Sequence, residues 1–153
     1  MVVSTLAADG FPDARVVLAR DISENGITFF TNRHSAKGEQ IAAHPQASAT
    51  FAWLQLHRSA RVRGSITLAS DEVSDAYFSS QPRSSQIVAW ASPQSEPIGN
   101  REQLGDLVEE YTGKFDGVDV PRPPHLGGYL WSINFTEFWQ GRPSRLHDRF
   151  LYT

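Results

Sequence analysis

The 153-residue chain contains no cysteine, so neither a disulfide framework nor a thiolate nucleophile or thiolate metal site is open to it. Its five histidines, His34, His44, His57, His125 and His147, show no HxxxH or comparable ligand spacing, which argues against a metal centre. GxGxxG and Walker-type phosphate loops are missing, as is a GxSxG nucleophile elbow. No apolar run approaches the length of a membrane span. The start, MVVSTLAADGF, lacks the basic flank of a secretory signal, so a soluble cytoplasmic protein is expected. The formal charge of −3 disfavours a general nucleic-acid surface. Lysine is scarce: of 14 cationic residues only Lys37 and Lys114 are lysine, and the other twelve are arginine. Genomic base composition explains that bias as readily as a need for the planar guanidinium fork, which suits phosphate and carboxylate.

Hydrophobic residues make up 40% of the chain and charged residues 20%. That is the balance of a globular protein, and the length suits a single domain spanning residues 1–153. The first half reads as strands and turns. VVSTLAA passes through DGFPD into ARVVLAR, and DISENG turns the chain into ITFFT. Ser35 is placed to cap a short helix, AKGEQIAAH, which Pro45 ends. Strands ASATFAWLQ and SARVRGSITLA follow. The middle is helical: Ser70 or Asp71 caps EVSDAYFSS, SSQIVAWAS forms a second helix, and Asn100 caps a third. In that third helix Leu104, Leu107, Val108, Tyr111 and Phe115 share one face. After the proline-rich connector VPRPPHLGG the chain returns to strands, YLWSINF, EFWQG and SRLHDRFLY. This order predicts a mainly β, α+β fold: an antiparallel barrel decorated with helices.

The closing stretch EFWQGRPSRLHDRF concentrates Arg142, Arg145, His147 and Arg149. Read as a strand, it sends Arg145, His147 and Arg149 to one face, where they repel one another unless water or an anion relieves them. Other segments have anion-binding chemistry. Thr31, Ser35 and Lys37 sit where a strand hands over to a helix N-terminus, a natural phosphate seat. Arg15 and Arg20 bracket the strand RVVLAR, and hydroxyls surround Arg83 in YFSSQPRSSQ. Each also reads as an ordinary solvated surface segment that binds nothing. Trp139, just before the basic stretch, offers a stacking surface to a planar ligand. The residues by themselves point to a small phosphate-bearing ligand.

Taken in order, RVVLAR, FFTN followed by SAKGEQI, YFSSQPRSSQIVAWASPQS, VPRPPHLGGY and EFWQGRPSRLHDRFLY resemble the pyridoxine/pyridoxamine 5′-phosphate oxidases over nearly the whole chain. The resemblance implies an FMN-dependent split-barrel homodimer with its site shared between subunits. It further implies oxidation of pyridoxamine or pyridoxine 5′-phosphate to pyridoxal 5′-phosphate, with oxygen as electron acceptor, in vitamin B6 metabolism. By the same likeness Arg15, Val16, Val17 and Leu18 line the flavin. Phe30, Thr31, Ser35 and Lys37 hold its phosphate end, and Ser59, Gln94, Ser95, Trp139 and Arg149 complete the pocket. Arg20, Tyr77, Gln81 and Ser85 fall at the substrate phosphate, while Arg145 and His147 lie over the pyridine ring as the catalytic pair.

Four of the matched positions depart from the family's usual residues. Arg20 stands for Lys, Ala36 for Arg, Ser59 for Gln and Gln81 for Arg. Ala36 and Ser59 remove flavin contacts. Gln81 takes a cation from the phosphate clamp, with Arg83 two residues on as a candidate replacement. Family members also carry an N-terminal helical segment and a final strand beyond the matched region. Two alternatives stand beside the oxidase: a split-barrel flavoprotein acting on another substrate, and a non-catalytic flavin- or vitamer-binding protein.

Overall fold

The computed structural model describes residues 1–153. In chain order its elements are β1 (Val2–Leu6), β2 (Pro12–Val16), β3 (Asp21–Ser23), β4 (Gly26–Asn32), α1 (Ala36–Ala43), β5 (Gln46–Trp53), β6 (Arg58–Leu68), α2 (Asp71–Ser79), α3 (Arg83–Ala91), α4 (Arg101–Lys114), β7 (Leu126–Gln140) and β8 (Asp148–Tyr152). The strands form one eight-stranded sheet in the order β2-β1-β5-β6-β7-β4-β3, with β8 also paired to β7. The antiparallel α+β architecture expected from the strand and turn pattern is the one observed.

The chain packs as two compact units. The first comprises residues 1–29, 39–68 and 129–153. Its core follows from period-two alternation: β6 buries Ala60, Val62 and Ile66 while Arg61, Arg63 and Ser65 face out. Val3, Ile27, Phe29, Ala49, Tyr129 and Trp131 complete the core, and Ile41 joins it from α1. Each large side chain so buried is worth about 1.5–3 kcal/mol. The β6–β7 register slips by one residue between Arg63 and Gly64. A Cβ at Gly64 would lie well inside contact distance of the Ser132 carbonyl oxygen, so only glycine fits the bulge.

The second unit comprises residues 30–38 and 69–128. Its core gathers Phe78 from α2, Ile87 from α3, and Phe115 and Val120 after α4, with Trp90, Val108 and Tyr111 against them. Ser70, rather than Asp71, caps α2 by accepting from the Val73 N–H, and Asn100 caps α4 by accepting from the Gln103 N–H at 2.8 Å.

Four sequence expectations need correction. The strand expected over residues 14–20 ends at Val16. Beyond it the Val17 N–H turns to the Met1 carbonyl and the Arg20 N–H to the Thr28 carbonyl, so Arg15 and Arg20 do not bracket one strand. Residues 21–23, read as part of a turn, pair with β4 instead. The two strands expected on either side of Thr136 are one fifteen-residue strand, because β6 pairs along nearly all of it. Finally, residues 144–147 are not strand. Pro143 starts a short 3₁₀ turn, and Ser144 and Arg145 both take left-handed backbone (φ 56° and 62°). The alternation that would have aligned Arg145 and His147 with Arg149 therefore does not hold.

Candidate functional site

In the first unit, cross-strand register places three of the expected cofactor residues in one row. Ser59 on β6 lies opposite Trp139 on β7, and Trp139 lies opposite Arg149 on β8. The His147 ring packs 4.8 Å from the Trp139 ring, and His147 Nδ1 accepts a hydrogen bond from the Arg142 N–H at 3.1 Å. Ser59 and Trp139 line a cleft of about 340 Å³ together with Trp53, Arg58, Phe138 and Phe150. Arg145 is exposed on the 3₁₀ turn two residues before His147. The local cations are also better compensated than the sequence suggests. Glu137 lies 3.7 Å from Arg61 and 3.6 Å from Arg149, and Asp148 receives Arg142 Nε at 2.8 Å. Strand register puts Glu137 opposite Arg61 and two positions from the partner of Arg149, while Asp148 meets Arg142 across the β7–β8 turn.

In the second unit, Thr31, Ser35, Lys37 and Gln94 converge. Lys37 Nζ donates to Thr31 Oγ1 at 3.0 Å, to Gln94 Oε1 at 3.2 Å and to Ser35 Oγ at 3.4 Å. Ser35, fully buried, donates to the Asn32 carbonyl and accepts from the Gly38 N–H, which makes it the N-cap of α1. Gln94 Oε1 only accepts, from Lys37 and from Thr31 Oγ1 at 2.9 Å, so the donors suited to a phosphate dianion are the buried ammonium and the positive end of the helix. Ser95 follows Gln94 with left-handed backbone (φ 71°). The half-buried Trp139 ring beside a guanidinium and an imidazole similarly suits a planar heterocycle. Taken separately, the Lys37 group fits the phosphate of a flavin mononucleotide and the Trp139 group a planar ring such as its isoalloxazine.

The expected substrate-phosphate residues lie on α2, α3 and the turn between them. Tyr77 is half-buried and stacks on Phe30, while Ser85 is exposed in the first turn of α3. Gln81 spends its amide locally, on the Tyr77 carbonyl and Ser80 Oγ. Arg83 donates to the Phe115 and Val118 carbonyls, closing the C-terminal end of α4. It is thus engaged as a helix cap and is not available as the clamp cation missing at Gln81.

Arg15 is held in a polar network in the first unit. It bonds the Asp13 carboxylate, Thr5 Oγ1 and Gln40 Oε1, and Gln40 Nε2 also donates to Asp13 Oδ2 at 3.1 Å. The Gln40 hydrogen bond, helped by the charge and hydrogen bond of Arg15, holds the Asp13 carboxyl below its ordinary range against the opposing effect of desolvation. Val17 is buried, whereas Val16 and Leu18 are exposed, as is Arg20. Asp13 was legible as a same-face neighbour of Arg15 two residues away, but the part played by Gln40 depends on how α1 packs and left no sequence signal.

No helix is long and apolar enough to cross a membrane. The strand order and antiparallel α+β architecture define a split-barrel type of protein. A pyridoxamine 5′-phosphate oxidase-related, FMN-binding protein from Nostoc punctiforme shares the fold with a TM-score of 0.75 at 19% identity, over 99% of this chain and 79% of that one. PhzG from Burkholderia lata, solved with tetrahydrophenazine-1-carboxylic acid, superposes with a TM-score of 0.90 at 27% identity, covering 99% and 74%. Residues 1–115 match the family described as pyridoxamine 5′-phosphate oxidase, and residues 127–153 the pyridoxine 5′-phosphate oxidase C-terminal dimerisation region. The pyridoxine/pyridoxamine 5′-phosphate oxidase of Cupriavidus necator is 49% identical over 152 residues, 99% of this chain and 71% of the relative. That of Burkholderia cenocepacia is 50% identical over 153 residues, 100% and 71%. The chain belongs to the pyridoxine/pyridoxamine 5′-phosphate oxidase family, a family of oxidoreductases, and the matched dimerisation region supports a homodimer.

Proposed function

We propose that this chain, as a homodimer, uses FMN to oxidise pyridoxine 5′-phosphate or pyridoxamine 5′-phosphate to pyridoxal 5′-phosphate, with oxygen as the final electron acceptor. The observation that carries this reading is the row Ser59–Trp139–Arg149 with the His147 ring packed on Trp139. It joins an aromatic plane, a cation and an imidazole where the family likeness expects flavin and pyridine rings. When bound, FMN supplies the two-electron acceptor that no side chain of this protein provides. Lys37, Thr31, Ser35 and the α1 N-terminus hold its phosphate, and Trp139, Arg149 and Ser59 border its ring system. Tyr77, Ser85 and Arg20 anchor the substrate phosphate, which turns orientation of the reacting carbon into a matter of fixed geometry. Arg145 and His147 present positive charge and a hydrogen-bond donor to the pyridine ring, favouring the charge that develops as the substrate is oxidised. The names of the relatives from C. necator and B. cenocepacia, at about half identity over the whole chain, support the same substrates.

A second reading has its own observation. Gln81 carries no charge and Arg83 is engaged at the end of α4, so the phosphate clamp has one cation fewer than the family norm. Together with the likeness to PhzG, this favours an oxidisable substrate that presents a carboxylate instead of a phosphate. One anaerobic experiment separates the two. The FMN-loaded protein is mixed with pyridoxine 5′-phosphate and its visible absorbance followed. Bleaching within seconds, reversed by oxygen, is the expected result. Absorbance unchanged by either phosphorylated vitamer, but bleached by a partly reduced polycyclic carboxylate, overturns the first reading in favour of the second.

A further inference from the structure

Tyr77 closes the second turn of α2, and its ring lies face to face with that of Phe30, centroids 3.7 Å apart and planes 7° from parallel. Phe30 in turn lies on Gly128. A Cβ at that glycine would meet Phe30 Cε1 at 2.8 Å and Ala69 Cβ at 3.0 Å, so any side chain there displaces the ring. The Gly128 backbone is itself fixed. Its N–H donates to Ser74 Oγ at 3.0 Å, and its carbonyl accepts from the Ala69 N–H at 2.9 Å. Ser74 is buried, donates onward to the Ser70 carbonyl, and stands three residues before Tyr77 on the same face of α2. A closed circuit therefore runs from Tyr77 through Phe30, Gly128 and Ser74 back to the helix that carries Tyr77.

A phenol on an exposed helix ordinarily samples several χ1 and χ2 rotamers. Here the circuit leaves its ring one plane to lie in. We infer that Phe30, seated on Gly128, is a positioning residue that orients the Tyr77 hydroxyl toward the substrate's phosphate and so sets affinity for phosphorylated vitamers. The inference rests on the proposed substrate class. It also moves Phe30 from the flavin side, where the family likeness expects it, to the substrate side. Its ring acts through Tyr77 alone.

The test uses the FMN-loaded protein with Phe30→Leu, Phe30→Tyr, Tyr77→Phe and the Phe30→Leu/Tyr77→Phe double variant. The readouts are KM and kcat for pyridoxine 5′-phosphate, dissociation constants for FMN and for pyridoxal 5′-phosphate by fluorescence quenching, and thermal midpoint. Phe30→Leu raises KM and the pyridoxal 5′-phosphate dissociation constant by about tenfold, the scale of one aromatic pair. It leaves kcat within about twofold and FMN affinity unchanged. Phe30→Tyr restores the wild-type values. The double variant is no worse than Tyr77→Phe, because a phenylalanine at 77 has no hydroxyl left to aim. If Phe30→Leu instead weakens FMN, or its effect adds fully to that of Tyr77→Phe, the positioning role is overturned and Phe30 is a flavin or packing residue. If wild-type protein neither oxidises pyridoxine 5′-phosphate nor binds pyridoxal 5′-phosphate, the substrate assignment fails first and takes this inference with it.

Discussion

Lys37→Met is the substitution that most directly tests the phosphate seat. Methionine approximates the length of the lysine stem and suits its surroundings, since Lys37 is only 9% exposed. What is lost is one positive charge and its donation to Thr31, Ser35 and Gln94. A charge-assisted contact to phosphate contributes about 1.5–3 kcal/mol, so the FMN dissociation constant should rise about 10- to 150-fold. Riboflavin carries the same ring system without the phosphate, and its affinity should move by less than about threefold, a few tenths of a kcal/mol. The ratio of the two shifts therefore isolates the contact at the phosphate from any general loosening of the pocket. Fluorescence titration of the flavin-free protein with each ligand measures both constants. Because an ammonium is costly to bury, the flavin-free variant should melt no lower than wild type. Equal losses for FMN and riboflavin, or no loss for either, would refute the assignment of Lys37 to the phosphate.

Arg145→Ala should cut kcat for pyridoxine 5′-phosphate by at least about 100-fold, the scale of removing a donor that acts on developing charge. Flavin affinity, read by fluorescence, should stay within a few-fold, and normal turnover would remove Arg145 from the site. Arg83→Ala should lower stability by about 1 kcal/mol in denaturant, because two carbonyls at the end of α4 lose their donor, while KM remains that of wild type. A raised KM would restore Arg83 to the phosphate clamp. The Asp13 carboxyl is held below its ordinary value of 3.8 by Gln40 first and then by Arg15. Its contribution is therefore present above that value and fades as pH falls through the lower folded-state value. Asp13→Asn should accordingly be less stable than wild type at pH 6, with the gap closing in acid. A gap that persists unchanged at pH 2.5 would exclude the ionised carboxylate as its source.

Much of this architecture was legible because the rules that built it are local. Alternation along Arg61–Ile66, the cap at Ser35 and the proline after His44 fix β6 and α1 from residues within a few positions of each other. The failures share a cause. At Thr136 and at residues 144–147 the deciding influence is either a partner strand or a pair of left-handed residues, and neither is written in periodicity. The same holds for the site. Thr31, Ser35 and Lys37 are near neighbours in sequence and were grouped from it, but Gln94 reaches them from 57 positions beyond Lys37. Ser59 was known only by likeness, Trp139 and Arg149 were singled out separately as a stacking ring and part of a basic stretch, and what aligns the three is register across three strands. Gln40 and Glu137, which occupy Arg15 and Arg149, had no motif to announce them.

The hydrogen bond from the Arg142 N–H to His147 Nδ1 has a consequence for proton traffic. A backbone amide can only donate, so Nδ1 must hold a lone pair, and in the neutral ring the hydrogen resides on Nε2. While the turn stays closed, His147 offers its environment an N–H edge and has no vacant basic nitrogen to offer. In the oxidation proposed for this chain it gives a hydrogen bond to the substrate, and the proton shed there leaves through water or another base. Taking a proton itself would require His147 to give up the bond that shapes the turn carrying Arg145.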